Sequence, residues 1–465
     1  MDENADVVVI GMGPGGEEVA GRLAEAGLRV IGVEARLVGG ECPYWGCVPT
    51  KMMIRAAGLL AEARRIPGMA GAASVTPDWS LVARRIRDEA TDSWNDKIAV
   101  DRFADKGGFF VRGRGQITAP GEVTVATDDG DRVFRARRSI VIATGTEPAV
   151  PPVNGLAGTP YWTNREAIET EQVPRSLIVL GGGAVGAELA QVFARFGARV
   201  TVAEALPRLL PLEEPEAAQL LAGVFARDGI TVRTGARAER AGHYDGQFSL
   251  DLAGGETLTA QRLLVATGRR AGLAALGVAA VGLDETARAI AVDDRMRAAD
   301  GVWAIGDVTG KGAFTHVAMY QAAVAVRDIL GQDGRPADYR ALPRVTFTDP
   351  EIGSVGLTEA RARERGIRVR TGTAEIPASA RGWIHKAGYD GFIKLVEDAE
   401  RGVLVGATSA GPAGGEVLGT LVVAVHGQVP VPHLRNMIYA YPTFHRAIED
   451  ALRSLADSTL QEPSS

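Results

Sequence analysis

Only two cysteines occur among the 465 residues. That scarcity weighs against a sulfur-built metal centre, because there are no further cysteines or nearby histidines to complete one. No apolar run approaches the roughly 20 residues that span a bilayer, so the sequence predicts no membrane partner. The 51 basic and 57 acidic side chains are interspersed, with a formal net charge of −6 and no basic block, which argues against nucleic acid or an anionic membrane surface. No signal peptide is read at the N-terminus, since Val7-Val8-Val9-Ile10 already has the character of a strand. The expected location is cytoplasmic, where a lasting structural disulfide is unusual. What is present is ordinary for a globular chain: 46% hydrophobic and 23% charged residues. The length exceeds one hydrophobic core and predicts two to four domains.

Two segments share one pattern. The first runs Asp6-Val7-Val8-Val9-Ile10-Gly11-Met12-Gly13-Pro14-Gly15-Gly16, then a helical run to Ala26, then Val30 to Glu34. The second runs Leu177-Ile178-Val179-Leu180-Gly181-Gly182-Gly183-Ala184-Val185-Gly186, a helical run to Phe196, then Val200 to Glu204. Each reads strand, glycine turn, helix, strand, acid, with the acid 23 residues after the first glycine (11 to 34 and 181 to 204). That is a dinucleotide fingerprint with its full context. Gly11 and Gly181 permit the tight turn, Gly13 and Gly183 admit a pyrophosphate, and Gly16 and Gly186 let helix pack on strand. Glu34 and Glu204 can accept hydrogen bonds from an adenosine ribose. The alternative is a pair of glycine-rich turns in plain βαβ units.

Each unit is followed by an apolar strand ending Ala-Thr-Gly, at Ala143-Thr144-Gly145 and Ala266-Thr267-Gly268. A third strand ends Ala304-Ile305-Gly306-Asp307, placing Asp307 where it can bind a ribityl or ribose hydroxyl. One long helical stretch is predicted over about Pro77 to Lys106. Beyond Pro343 the alternating segments Val345–Thr348, Phe392–Val396 and Val403–Ala407 predict antiparallel strands. Helices follow over about Gly415 to His426 and Thr443 to Leu455, and the tail after Asp457 is expected to be disordered. The fold class is therefore α/β: two Rossmann-like dinucleotide-binding domains plus a C-terminal α+β domain.

The sole cysteines sit five residues apart in Gly39-Gly40-Glu41-Cys42-Pro43-Tyr44-Trp45-Gly46-Cys47-Val48-Pro49-Thr50-Lys51. Beside a dinucleotide site they read as a redox couple; a structural disulfide or two metal ligands are the other readings. On an ideal helix residues i and i+5 are roughly 8.6 Å apart, beyond disulfide reach. An irregular helix start between them is predicted, with Pro43 and Gly46 suited to supply it.

These pieces in this order resemble the pyridine nucleotide–disulfide oxidoreductase family, which includes dihydrolipoamide dehydrogenase, glutathione reductase and mercuric reductase. The resemblance runs from Asp6 to about Leu455 and includes Thr348-Asp349-Pro350-Glu351-Ile352-Gly353-Ser354-Val355-Gly356-Leu357-Thr358. It implies an FAD-binding domain at 1–150 and 271–342, a nicotinamide nucleotide domain at 151–270, and an interface domain at 343–465 that forms a homodimer, each active site drawing on both subunits. It implies that Cys42 exchanges with the external acceptor and Cys47 faces the flavin, both needing a lowered thiol pKa. Lys51 and Glu188 would form the pair beside the flavin ring. FAD would be held by Gly11, Gly13, Gly16, Glu34, Gly40, Lys51, Gly115, Thr144, Gly145, Asp307, Thr315, His316 and Ala318. The nicotinamide nucleotide would be held by Gly181, Gly183, Gly186, Glu188, Glu204 and Gly268. Glu204 favours NAD(H) over NADP(H), because a carboxylate repels a 2′-phosphate; Arg208 complicates that reading. His316 reads as packed and not catalytic.

The chain departs from the family at its end. The family's His-Pro-Thr-x-x-Glu is here Tyr441-Pro442-Thr443-Phe444-His445-Arg446. A phenol is a poor base at neutral pH, although it can donate a hydrogen bond. His445 would take over only if the helix start shifted; Glu449 reads as a plain helix charge. Thr443 reads as an N-cap, and the Tyr441–Pro442 peptide is predicted cis. Tyr44 and Trp45 replace smaller residues and are expected to re-line the thiol pocket. Tyr439 and Tyr441 leave a metal-reductase alternative. The function implied is an FAD-dependent NAD(P)H oxidoreductase delivering electrons through Cys42–Cys47 to a small acceptor: an unusual disulfide, a quinone or a metal ion. Dihydrolipoamide dehydrogenase proper, a flavin-level diaphorase or oxidase, and a non-catalytic FAD-bound subunit are the alternatives. No resident metal is expected.

Overall fold

The computed structural model describes residues 3–457; the tail expected to be disordered after Asp457 lies outside the described residues. The chain divides into two compact units. The first takes the chain up to Thr50, Ala83–Ala149 and Gly268–Asp338; the second takes Lys51–Val82, Val150–Thr267 and the chain from Tyr339.

In the first unit the Val7–Ile10 run, apolar on both faces, forms the strand Glu3–Ile10 at the centre of a sheet covered on both sides. Its parallel neighbours are Val30–Glu34 and Gly130–Ile142, flanked in turn by Phe109–Arg112 and Val302–Ala304. An antiparallel meander, Arg114–Ala119 and Glu122–Thr127, leads into the long strand Gly130–Ile142. The ligand-facing ends of parallel strands lie at their carboxyl ends, which is where Gly11, Glu34 and Thr144 fall in this sheet.

The expected long helix over Pro77 to Lys106 is interrupted. Trp79–Arg85 is α-helical, Ile86–Ala90 forms a π-turn, and Lys97–Asp105 starts a new helix. Between them Asp92, Ser93 and Trp94 take left-handed conformations with φ of 46°, 57° and 56°. Apolar periodicity does not register the cause: the Thr91 hydroxyl bonds the carbonyls of Ile86 and Arg87, both at 3.1 Å, and competes with the helical ladder.

In the second unit a four-stranded parallel sheet runs in the order Thr231–Thr234, Arg199–Glu204, Ser176–Leu180, Arg262–Val265. A three-stranded antiparallel sheet, Ala238–Tyr244, Gln247–Leu252 and Thr257–Ala260, is inserted in sequence between Thr231–Thr234 and Arg262–Val265. The C-terminal segment forms a five-stranded antiparallel sheet in the order Pro343–Thr346, Glu351–Gly356, Val403–Gly411, Phe392–Asp398, Val369–Glu375. The helices Gly414–His426 and Ala447–Asp457 share its apolar core. Gly372 is needed for that packing, since a Cβ there would stand 2.3 Å from the Ala451 carbonyl oxygen. No helix among the described residues is long and apolar enough to cross a membrane.

Candidate active site

The thiol pair is built by a broken helix. Glu41–Tyr44 makes a single turn, Trp45 ends it, and Cys47 opens the long helix Cys47–Arg65. The irregular start predicted between the cysteines is therefore present. Gly46 lets the break close: a Cβ there would meet the Glu41 carbonyl oxygen at 3.0 Å and Cys42 Cα at 3.3 Å. Thr50 secures the new helix by donating its hydroxyl to the Gly46 carbonyl at 2.7 Å. The two thiols are not joined in this structure, but the Cys42 thiol hydrogen-bonds to Cys47. Cys47 Sγ also lies 3.5 Å from Thr315 Oγ1. The Cys42 thiol pKa is pushed up, first by its hydrogen bond to Cys47 and then by burial, while a hydrogen bond from Thr315 opposes the rise. This runs against the expectation of a lowered pKa at Cys42. Tyr44 is buried against Gly39, while the Trp45 ring lies tilted to it at 5.9 Å.

The first glycine turn is a close backbone fit. A Cβ on Gly11 would stand 2.5 Å from the Ala143 carbonyl oxygen, and one on Gly16 would stand 1.9 Å from that of Gly11. Gly40, at φ 65°, brings its backbone so near Gly13 that a Cβ would meet Gly13 Cα at 2.8 Å. Glu34 closes the turn from the next strand, accepting the Met12 N–H and the Arg36 N–H, each at 2.8 Å. Gly115 has a packing reason of its own, since its absent side chain would meet Ile10 at 3.0 Å and Val33 at 3.4 Å. Ala318 is placed against Gly15, whose Cβ would meet it at 3.1 Å. His316 is exposed and stacks on Phe314 at 5.2 Å.

Asp307 lies beyond its strand, in the 3-10 turn Gly306–Thr309. Burial raises its carboxyl pKa, opposed by a 3.0 Å hydrogen bond from Thr146 and by the Arg269 guanidinium. Arg269 donates to the Thr146 hydroxyl at 2.9 Å and to its carbonyl at 2.6 Å, and reaches Glu41 at 3.7 Å. The residues just after the two Ala-Thr-Gly turns pair as a short antiparallel ribbon, Glu147–Pro148 with Arg269–Arg270. Thr144 and Gly145 lead into this ribbon, and Gly145 takes φ 63°. The sequence reading missed Thr146 and Arg269; their only local signal is their position directly after Thr-Gly.

In the second unit Gly181 and Gly186 repeat the tight contacts, with Cβ positions 2.4 Å from the Ala266 oxygen and 2.1 Å from the Gly181 oxygen. Gly183 differs, because a Cβ there would meet nothing within 4 Å, which leaves space over the turn. In the first unit Gly268 has an open Cβ direction as well, at φ 118°. Glu204 accepts the Gly182 N–H at 2.5 Å and the Leu206 N–H at 2.7 Å, as Glu34 does in the first copy. Arg208 turns instead to the carbonyls of Pro211 and Glu213. Lys51, one turn beyond Cys47 on the same helix, binds Glu188 Oε2 at 2.8 Å, and its ammonium lies 4.6 Å from the Phe347 ring centroid.

Tyr441 precedes Pro442 across a cis peptide, as expected, and is exposed beneath the Arg446 guanidinium at 5.3 Å from its ring centroid. Thr443 precedes the short turn Phe444–Arg446, but its hydroxyl donates back to the Ala440 carbonyl at 2.8 Å and does not cap the turn. Glu449 is a charge on the last helix, paired with its neighbours Arg446 at 3.4 Å and Arg453. Tyr439 is buried and bonds the Leu434 carbonyl at 3.1 Å; burial raises its pKa. Among the described residues no cluster of three or more His, Cys, Asp and Glu could hold a metal ion.

Residues 5–322 match the family model described as pyridine nucleotide-disulphide oxidoreductase, and residues 342–452 match that family's dimerisation domain. The chain belongs to this family. Its relatives include the dihydrolipoyl dehydrogenase of Chlorobaculum tepidum, 35% identical over 96% of each chain. They also include the mercuric reductase of Shigella flexneri, 34% identical over 96% of this chain and 80% of that one. Among solved structures, the copper(II) complex of the HOCl-induced flavoprotein disulfide reductase RclA of Escherichia coli superposes with a TM-score of 0.86 at 26% identity, covering 97% and 99% of the two chains. LpdA of Mycobacterium tuberculosis gives 0.85 at 26% identity, with the same coverage. A pyridine nucleotide-disulfide oxidoreductase is a flavoprotein enzyme that depends on FAD and a pyridine nucleotide. The glycine cradle around Gly11, Gly13 and Gly40, with Glu34 at its edge, fits the pyrophosphate and ribose of such a cofactor.

Proposed function

We propose that this oxidoreductase takes electrons from NADH and delivers them, by way of FAD and the Cys42–Cys47 pair, to a small acceptor other than lipoamide or glutathione disulfide. The observation that carries the proposal is a pair of free thiols at a broken helix start; the sequence Tyr441-Pro442-Thr443-Phe444-His445-Arg446, which lacks the His-Pro-Thr-x-x-Glu pattern, supports an acceptor of another kind. FAD, when bound, accepts a hydride from the nicotinamide and passes the electron pair to a disulfide. Lys51 supplies a cation held by Glu188, and Asp307 and Glu34 offer carboxylates to sugar hydroxyls. Glu204, doubly held by backbone amides, places a fixed negative charge at the ribose and favours NADH. The acceptor classes that need no imidazole base are an unusual disulfide, a quinone or a metal ion. Copper(II) in the RclA complex supports including metal ions among the acceptors tried. The division of labour follows the family: 1–150 with 271–342 for FAD, 151–270 for the nicotinamide, and 343–465 as the homodimer interface, in a soluble cytoplasmic enzyme.

Anaerobic titration with NADH tests the electron route. Uptake of two electron pairs, reduced to one in Cys42→Ser, is the expected result. Uptake of one pair in both proteins would leave a flavin-level diaphorase, and no uptake would leave a non-catalytic subunit. A screen of disulfides, quinones and metal ions with the NADH-reduced enzyme then identifies the acceptor class.

A further inference from the structure

We propose that Glu213 and Glu214 are positioning residues for the nicotinamide nucleotide: anchored in the five-stranded C-terminal sheet, they fix the loop that holds the second glycine turn. This rests on the reading of that turn as the nucleotide site. Every residue involved belongs to the second unit. The two adjacent acids enter two separate basic sockets. The Arg344 guanidinium, on the strand Pro343–Thr346, donates to both oxygens of Glu213, at 2.9 and 3.1 Å, and the Ser354 hydroxyl of the next strand donates to one of them. Glu214 accepts the Lys394 ammonium at 3.0 Å and the Glu359 N–H at 2.7 Å. The Lys394 and Glu214 side chains are only 5% and 2% exposed, and the carboxylates of Glu216 and Glu359 complete the shell of the ammonium at 2.7 and 3.0 Å. Glu214 occupies the N-cap position of the helix Pro215–Arg227 yet makes no capping bond, although an acidic side chain at that position can accept the free helix N–H groups. Its carboxylate is directed to the C-terminal segment instead. Apolar side chains of the same volume would hold such a junction at least as firmly as buried charges. What the charges add is a single register, since each acid must meet its own cation.

That register passes along a short loop to the glycine turn. The loop is stiffened from within: Arg208 donates to the carbonyls of Pro211 and Glu213 at 3.1 and 3.4 Å, and the Glu213 N–H bonds the Leu210 carbonyl at 2.9 Å. Leu210, three residues before Glu213, takes a left-handed conformation at φ 44°, which a bulky side chain adopts only when its surroundings hold it there. Its N–H donates to the Gly182 carbonyl at 2.9 Å. Leu209 closes on the same glycine, since a Cβ on Gly182 would lie 2.6 Å from Leu209 Cδ2. Gly182 therefore has its N–H held by Glu204 and its carbonyl held by Leu210. Gly183, with open space above it, is the next residue, so the backbone that would meet the nucleotide is set by a loop whose far end is fixed at Glu213 and Glu214. A binding site is as exact as the residues that support it.

The test is calorimetric titration of the oxidised, FAD-loaded enzyme with ADP-ribose and with its 2′-phosphate, probes that lack the nicotinamide and transfer no electrons. Glu213→Gln loosens one socket while keeping its shape. Glu214→Leu with Lys394→Met replaces the other by apolar side chains of similar bulk. The expected result is a dissociation constant raised about tenfold in each, with flavin content at the parent level. Glu216→Gln, at a half-exposed carboxylate on the same ammonium, is the control and is expected to bind as the parent does. If the double variant yields no flavin-loaded protein, Glu213→Gln decides alone. Parent-like dissociation constants in the anchor variants, even with lowered melting temperatures, would overturn the inference and leave a network that serves the fold only. An equal weakening in Glu216→Gln would overturn it too, by showing an effect of charge and not of position. A parent that binds neither probe sinks the nucleotide reading of the second glycine turn and the anchor with it, whereas a binding parent with unaffected variants sinks the anchor alone.

Discussion

One oxygen of Glu188 takes the Lys51 ammonium at 2.8 Å, while its other oxygen takes the Phe347 backbone N–H at 2.8 Å. The carboxylate is nearly buried, whereas the lysine keeps about a third of its side chain exposed (35% against 6%). Three segments distant in sequence are thus joined at one carboxylate, and the ammonium is held in a single place on its helix.

Glu188→Ala is therefore expected to remove two charge-assisted hydrogen bonds and to lower stability by about 1.5–3 kcal/mol. Urea unfolding of the flavin-loaded protein measures it. Lys51→Met is expected to leave a buried carboxylate uncompensated and to be destabilising as well. A midpoint unchanged in both variants would show that the pair contributes nothing to the fold.

The two glycine turns are expected to respond differently to a single methyl group. Gly16→Ala places its Cβ 1.9 Å from the Gly11 oxygen, so the turn must open, and thermal stability and FAD content fall together. Gly183→Ala meets no protein atom within 4 Å. It is expected to fold normally and to raise only the KM for the nicotinamide nucleotide, read from melting temperature and kinetics side by side.

Glu204→Ala removes the carboxylate that two backbone amides hold in place. The ratio of kcat/KM for NADH to that for NADPH is expected to shift at least about tenfold toward NADPH, as loss of one charge–charge repulsion allows. A parent enzyme that already prefers NADPH would overturn the assignment of Glu204.

Burial raises the Asp307 carboxyl pKa above its ordinary range. A raised folded-state pKa contributes stability that is present below the unfolded value and lost as pH rises through the folded one. Ionised Asp307 therefore weighs against the fold at neutral pH. Asp307→Asn is expected to stabilise the flavin-stripped protein at pH 7, with the gain vanishing as pH falls below the ordinary carboxylate range, and to weaken FAD binding. Chemical unfolding from pH 3 to 8, with a flavin titration, checks both signs.

Tyr441→His alone is expected to gain little lipoamide turnover, because Arg446 stands where an orienting acid would be and already lies over the residue-441 ring. Tyr441→His with Arg446→Glu is expected to gain substantially more. Parent turnover of lipoamide at the rate of a typical family member would show that the tyrosine is no obstacle.

Much of the site was legible in the chain because its signals are local. The glycine turns, the acids at 34 and 204 and the break between Cys42 and Cys47 each depend on residues within one βαβ unit or one helix turn, so spacing reports them. The Pro77–Lys106 stretch misled because its apolar periodicity continues through a break made by one hydroxyl, that of Thr91, which a pattern of apolar positions does not register. Tyr439 and Tyr441 look alike in sequence, yet one bonds a carbonyl in the core and the other is exposed.

The sequence by itself determined the family and the two glycine turns, and it singled out Cys42 and Cys47, since each is written in short-range spacing that backbone geometry enforces. Only the tertiary structure decided which groups meet: Thr315 at Cys47 across 268 positions, Glu188 at Lys51 across 137, and Thr146 at Asp307 across 161. Such contacts carry no periodicity. They arise when packed strands and helices bring distant polar groups into places where each must find a partner.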